Sequence, residues 1–144
     1  MAESVFRHKV QTAGLDHHFR IDSAGTGNWH VGDNPDHRTI RTLRDHGIHQ
    51  YSRARQVRSQ DFEEFDHLFA MDDMNLADLR RWPDGKAEKV SLILDWDEAT
   101  KGEFVPDPYY GDQKDFEQVY QLLDRATDEV LVKLSRMHEI TRTK

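Results

Sequence analysis

The chain has 144 residues, 36% apolar and 33% charged, which suits one globular domain built on one core. Its 20 basic and 27 acidic residues give a net charge of -7, the wrong balance for a protein whose main partner is a nucleic acid backbone. There is no cysteine, which excludes disulfides, thiolate-bound metals and a cysteine nucleophile from these residues.

No apolar run approaches the roughly 18 residues of a membrane helix. MAESVFRHKV lacks the basic and then apolar regions of a secretory signal, so the expected compartment is the cytoplasm. Ala2 to Ala13 reads as a helix with Val5, Phe6 and Val10 on one face and Gly14 as its stop. Phe19 and Ile21 alternate with polar neighbours, so a strand is expected near His18 to Ser23. The glycine-rich AGTGNWHVGDNPD follows, with Asn34 expected to cap the next helix and Pro35 to open it. Ile40 and Leu43 face inward in that helix and Gly47 closes it.

Ser59 is the expected cap of a short helix burying Phe62 and Phe65. HLFAM, His67 to Met71, reads as a second strand, and Asp72 as the cap of a helix carrying Leu76 and Leu79 that ends by Pro83. KVSLILD, Lys89 to Asp95, is the strongest strand pattern. A long loop leads to one helix, roughly Gln113 to Ile140, with a stripe of Phe116, Val119, Leu123, Ala126, Val130, Leu134 and Met137. Strands alternating with helices imply an α/β fold, an open parallel sheet with helices on both faces.

The stretch with most chemical content is VPDPYYG. Asp107 lies between two prolines after the last strand, on the side where open parallel sheets bind ligands. A carboxyl group there can protonate a leaving oxygen, and Tyr109 and Tyr110 can wall a slot for an aromatic group; the competing reading is a surface turn with two packed tyrosines. Trp29, on a loop after a strand, is either a second wall or a cover on the core. GTGNWHVG fails as a dinucleotide loop because His30 stands where a third glycine belongs. Asp33, Asp36 and His37, and the adjacent His17 and His18, show no recognised metal spacing, so no metal or cofactor is expected. Asp72 and Asn75 read as a helix start.

Taken together, MAESVFRH, DSAGTGNWHVG, PDHRTIRTLRDHGI, RARQV, DFEEFD, LFAMDDMNL and VPDPYYG resemble the low-molecular-weight protein-tyrosine phosphatase family, in order over roughly Met1 to Arg125. The resemblance implies a three-layer fold around four parallel strands. It also implies a loop of Cys, five residues, Arg, then Ser or Thr and Pro, following the first strand and leading into a segment like MAESVFRH. On that pattern the chain is one phosphatase-like domain incomplete at its start, lacking the central first strand and the Cys/Arg loop.

The resemblance assigns Asp107 as the general acid and Trp29, Tyr109 and Tyr110 as cleft aromatics, with Ser23, Asp72 and Asn75 as structural support. Its substrates would be protein phosphotyrosine or an aryl phosphate, with no cofactor; the related arsenate-reducing thiol enzymes are a lesser possibility for the parent. Many members carry a histidine where this chain has Ser52 in YSRARQ, so bracing of the loop is expected to be weaker. The expected activity of residues 1–144 is none, and a noncatalytic phosphotyrosine-peptide or partner-binding module is the alternative. A sheet missing its central strand forfeits roughly 6–12 kcal/mol of apolar burial against a whole-domain stability of about 5–15, so a marginal or aggregation-prone product is expected.

Overall fold

Side chains of successive residues in a strand point to opposite faces, and residues 68–71 follow that rule. Leu68 and Ala70 pack with Phe62, Leu79, Val90 and Leu92 on one side, whereas Phe69 and Met71 pack with Ile93, Val130 and Leu134 on the other. The computed structural model describes residues 1–27, 30–83 and 86–140, and in these the two apolar clusters are the two helix–sheet interfaces of a three-layer α/β domain.

The sheet itself is small. Strand β1 (Leu68–Ala70) pairs in parallel with β2 (Val90–Leu92), Leu68 opposite Val90 and Ala70 opposite Leu92. Helix α1 (Ala2–Thr12), α2 (His37–Asp45) and α5 (Gln113–Met137) lie on one side, and α3 (Ser59–Glu64) and α4 (Asp73–Arg80) on the other. α5 is the long element that organises the first side. Asp112 caps it by accepting from the Lys114 and Asp115 amides, and Asp115 returns a bond to the Asp112 amide. Its stripe is buried from Phe116 to Leu134, while Met137, 60% exposed, falls off the end of the core.

Four expected details change. Residues 19–24 form no strand: the chain makes a single 3-10 turn at Asp16–His18 and then runs on with only an isolated parallel bridge, Gly25 to Gln56. Among the described residues, no backbone–backbone hydrogen bond joins residues 20–24 to a neighbour, so there is no ladder to define a strand. The last strand stops at Leu92 because Ile93–Trp96 tightens into a 3-10 turn, where the Leu94 carbonyl accepts the Thr100 hydroxyl at 2.9 Å. Asp36, not Asn34, caps α2. Ser59 is the first residue of α3 rather than its cap; the Asp61 carboxylate holds the Arg58 amide at 2.8 Å instead. Trp29 lies outside the described residues.

Among the described residues no helix is long and apolar enough to cross a membrane.

Candidate active site

The chain leaving the sheet is fastened before it turns. Val105, buried, donates its amide to the Met71 carbonyl at 2.8 Å, which ties the loop to the end of β1. Proline then fixes the backbone on either side of Asp107, and the Asp107 Oδ1 accepts the Tyr109 amide at 3.0 Å. Gly111 donates to the Pro108 carbonyl at 2.8 Å, closing a second turn directly after the first. Two locked turns in succession hold one exposed carboxylate at the rim of a cavity of about 410 Å³. Tyr109 stands on the same rim, and Tyr110 meets its ring edge-on at 5.0 Å.

Arg38 holds this loop from the other side. From the first turn of α2 it donates to the Gly111 carbonyl at 2.9 Å and to the Tyr109 carbonyl at 2.8 Å. Its guanidinium lies 4.5 Å over the Phe116 ring and is gripped by both Asp36 oxygens. Asp36 thus does two jobs, since its Oδ1 also accepts the Arg38 amide at 2.8 Å as the helix cap. The hydrogen bonds from the Arg38 side chain hold the Asp36 carboxyl down at about 2, below its ordinary 3.8. A depressed carboxyl pKa contributes stability that is complete above the ordinary value and is lost as pH falls toward the lowered one. Acid titration of stability should therefore steepen between 3.8 and about 2, and Asp36→Asn should flatten that stretch of the curve. Equal slopes for the two proteins would remove Asp36 from the account.

A second polar cluster sits at the start of α1. Glu3, only 6% exposed, takes the Ser23 hydroxyl on Oε1 at 2.7 Å. Its Oε2 takes the Ser52 hydroxyl at 2.7 Å and Arg7 at 2.9 Å. Arg7 reaches on to the Ile21 carbonyl at 2.6 Å. This network positions Ser23 and gives Ser52 a defined hydrogen-bonding partner. Arg55 is committed nearby, to Asp22 at 3.0 Å and to both oxygens of buried Asp61.

The structure brings Asp107, Tyr109, Asp72 and Asn75 to one cavity. Asp72 caps α4 there, accepting the Asn75 amide at 2.8 Å. Ser23 lines the adjoining cavity, and Met1, Ala2, Met71 and Asn75 border both. Tyr110, 97% exposed, projects from the loop rather than lining the cavity. Arg38 and Glu3 were not singled out from the sequence. Glu3 four residues before Arg7 is an ion-pair spacing, which was the available signal; nothing in PDHR announces that its arginine will meet carbonyls far along the chain. Among the described residues no group of three or more potential ligands could hold a metal ion.

The family model for low molecular weight phosphotyrosine protein phosphatase matches residues 1–140. A Saccharomyces cerevisiae low molecular weight phosphotyrosine protein phosphatase is 37% identical over 137 residues, 92% of this chain and 85% of its own length. The Schizosaccharomyces pombe protein of the same description is 46% identical over 127 residues, 86% of this chain and 81% of its own. In three dimensions a protein tyrosine phosphatase from Entamoeba histolytica, solved with Hepes in the active site, superposes with a TM-score of 0.89 at 35% identity, covering 95% of this chain and 88% of that one.

Proposed function

Because the chain belongs to the low molecular weight phosphotyrosine protein phosphatase family, we propose that residues 1–144 carry the leaving-group half of a phosphotyrosine-hydrolysing site and hydrolyse no phosphate ester by themselves. The observation that carries this reading is a carboxylate locked at a cavity rim by consecutive turns, in a chain with no cysteine. Asp107 is the general acid, giving its proton to the phenolic oxygen as the phosphorus–oxygen bond breaks. Tyr109 forms a wall for the phenyl ring, with Trp29 and Tyr110 as the further aromatics. Asp72 and Asn75 fix the end of β1 beside the phosphoryl position, and Ser23 supports it from the Glu3 network.

What these residues do not contain is the attacking group. Family chemistry needs a thiolate to take the phosphoryl group and a loop of amides with an arginine to hold its oxygens. That strand and Cys/Arg loop are not among residues 1–144, and the domain is on this reading incomplete without them. General-acid help is worth roughly 10²–10⁴ in rate and cannot open a covalent route that has no nucleophile.

The alternative, a module that captures phosphotyrosine peptides without hydrolysis, gains no anion site from Arg38 or Arg55. Arg38 is engaged by Asp36 and two carbonyls, and Arg55 by Asp22 and Asp61, so both have their donors committed within the protein. A phosphoryl group would have to displace a carboxylate to gain either one.

Purified residues 1–144 should release no phenol from an aryl phosphate above a protein-free blank. Sustained turnover that co-purifies with the chain, and that Asp107→Asn abolishes, would refute the proposal.

A further inference from the structure

His67 stands one residue ahead of β1, on the face that Phe69 and Met71 turn toward α5. Its ring stacks over Phe69 at 6.1 Å and meets the Trp96 ring edge-on at 5.8 Å, forming a half-buried aromatic corner. The fourth ring comes from the far end of the chain. His138, the residue that ends α5, brings its Nε2 to 3.0 Å from the His67 Nε2, with the two ring planes at 85°. The ring centroids are 5.3 Å apart, which leaves the two nitrogens facing each other between the rings.

This contact falls where α5 has least else to hold it. The apolar stripe ends at Leu134, and Met137 is exposed. Lys133 reaches the Trp96 carbonyl; past it, among the described residues, the His138 bond is the side-chain hydrogen bond that ties α5 to another element. The helix stop is itself strained. The Ile140 amide closes back on the Ser135 carbonyl at 2.8 Å, and this puts Glu139 at φ 52°, a left-handed position that favours glycine. A helix end of this kind frays unless a tertiary contact holds it.

The contact depends on how many protons the pair carries. Two neutral imidazoles share one N–H between a donor and an acceptor, and one added proton makes that bond charge-assisted. With two added protons both nitrogens are donors, no acceptor remains, and two cations face each other. The last carbonyls of α5 favour a cation on His138, which leaves His67 as the acceptor. The charged groups around His67 are His138 from α5, Asp66 beside it, and Lys89 ahead of β2, itself tied to the Phe62 and Phe65 carbonyls. Burial pushes the His67 imidazole below its ordinary 6.5, with His138 and Lys89 adding to the effect and Asp66 opposing it. An imidazole lowered in this way binds its proton more weakly folded than unfolded, so its contribution is complete above 6.5 and is lost as pH falls below that value.

We propose that His67 and His138 form a proton-operated latch, which holds the last turn of α5 against the start of β1 at neutral pH and lets it go when the second proton arrives. Release uncovers the Phe69 and Trp96 rings that the pair closes over. The device involves neither Asp107 nor phosphate, so it stands or falls apart from the phosphatase reading.

The test follows the full chain by NMR from about pH 8 to about pH 5, with EDTA present so that no stray metal ion bridges the rings. Histidine ring signals report protonation and Cα shifts report the helix. The His67 ring is expected to titrate below 6.5, with residues 134–138 losing their helical shifts in step while residues 119–127 keep theirs. His138→Gln should raise the His67 midpoint by about half a pH unit or more, because it removes the facing cation. His67→Phe keeps an aromatic ring in the corner and should remove the pH dependence of residues 134–138. His49→Gln, at an exposed position outside the pair, should change neither.

An unmoved His67 midpoint in His138→Gln would overturn the proposal, because the rings would then not be paired in solution. So would release at an unchanged pH in His67→Phe, which would make another group the trigger, or a last turn that stays helical after both rings are charged. Loss of residues 119–127 together with the last turn would overturn it as well, since acid would then be unfolding the domain instead of opening a latch.

Discussion

Replacing Asp107 by asparagine is expected to lower kcat about 10²–10⁴-fold in a version of this chain joined, ahead of Met1, to a strand and Cys/Arg loop of the family pattern. The asparagine can keep the Asp107 role as acceptor of the Tyr109 amide, so the turn and its position survive. It cannot give a proton to the departing oxygen. The loss should shrink for leaving groups that need no protonation, such as strongly electron-poor phenolates, and KM should move far less than kcat. Steady-state rates against a series of aryl phosphates read both effects. An unchanged kcat, or an equal loss for every leaving group, would take Asp107 out of the acid role and leave it as a turn residue.

The second large effect is one of stability. Glu3→Ala should cost about 1–3 kcal/mol, because it takes the shared acceptor from two hydroxyls and from an arginine that keeps the Ile21 carbonyl and some contact with water. Arg7, Ser23 and Ser52 all end on this one carboxylate, at 2.9, 2.7 and 2.7 Å. Whole domains of this kind are stable by only about 5–15 kcal/mol, so the loss should appear as a clear fall in the denaturation midpoint. Urea unfolding with paired Glu3→Ala and Glu3→Gln variants measures it, the glutamine retaining part of the hydrogen bonding. A cost below about 1 kcal/mol for the alanine would mean that the network behaves like an exposed ion pair.

These effects also mark what could and could not be read from the residues alone. The long amphipathic stripe of α5, the HLFAM strand and the Asp72 cap were legible because each is a local pattern whose partner lies within a turn or a face. The strand expected near His18 to Ser23 was not found because a strand is a relation between two backbones. The alternation of Phe19 and Ile21 says which face they would show, and says nothing of whether a neighbour is there to pair with. The α2 cap went to Asp36 over Asn34 for a similar reason: only Asp36 can serve both the Arg38 amide and its guanidinium, and that guanidinium is held in place by carbonyls of the Tyr109 loop.

The candidate site shows the same division. Asp107 between two prolines stood out as a stiffened carboxylate, and the geometry adds why it is stiff: an Asx turn, a following turn closed at Gly111, and an arginine clamp. Glu3 was hidden because a glutamate in the first turn of a helix is ordinarily a dipole partner at the surface. Burial by the serines of two distant segments is what turns it into a structural centre.

The most direct measurement is an acid-quenched incubation of residues 1–144 with an aryl phosphate, followed by intact-mass and peptide mass spectrometry. The account predicts no covalent phosphate on any residue at any time point, and a full phosphoryl adduct on the cysteine of the version carrying the family loop. A phosphate found on a side chain of residues 1–144, forming and decaying at the rate of phenol release, would contradict it.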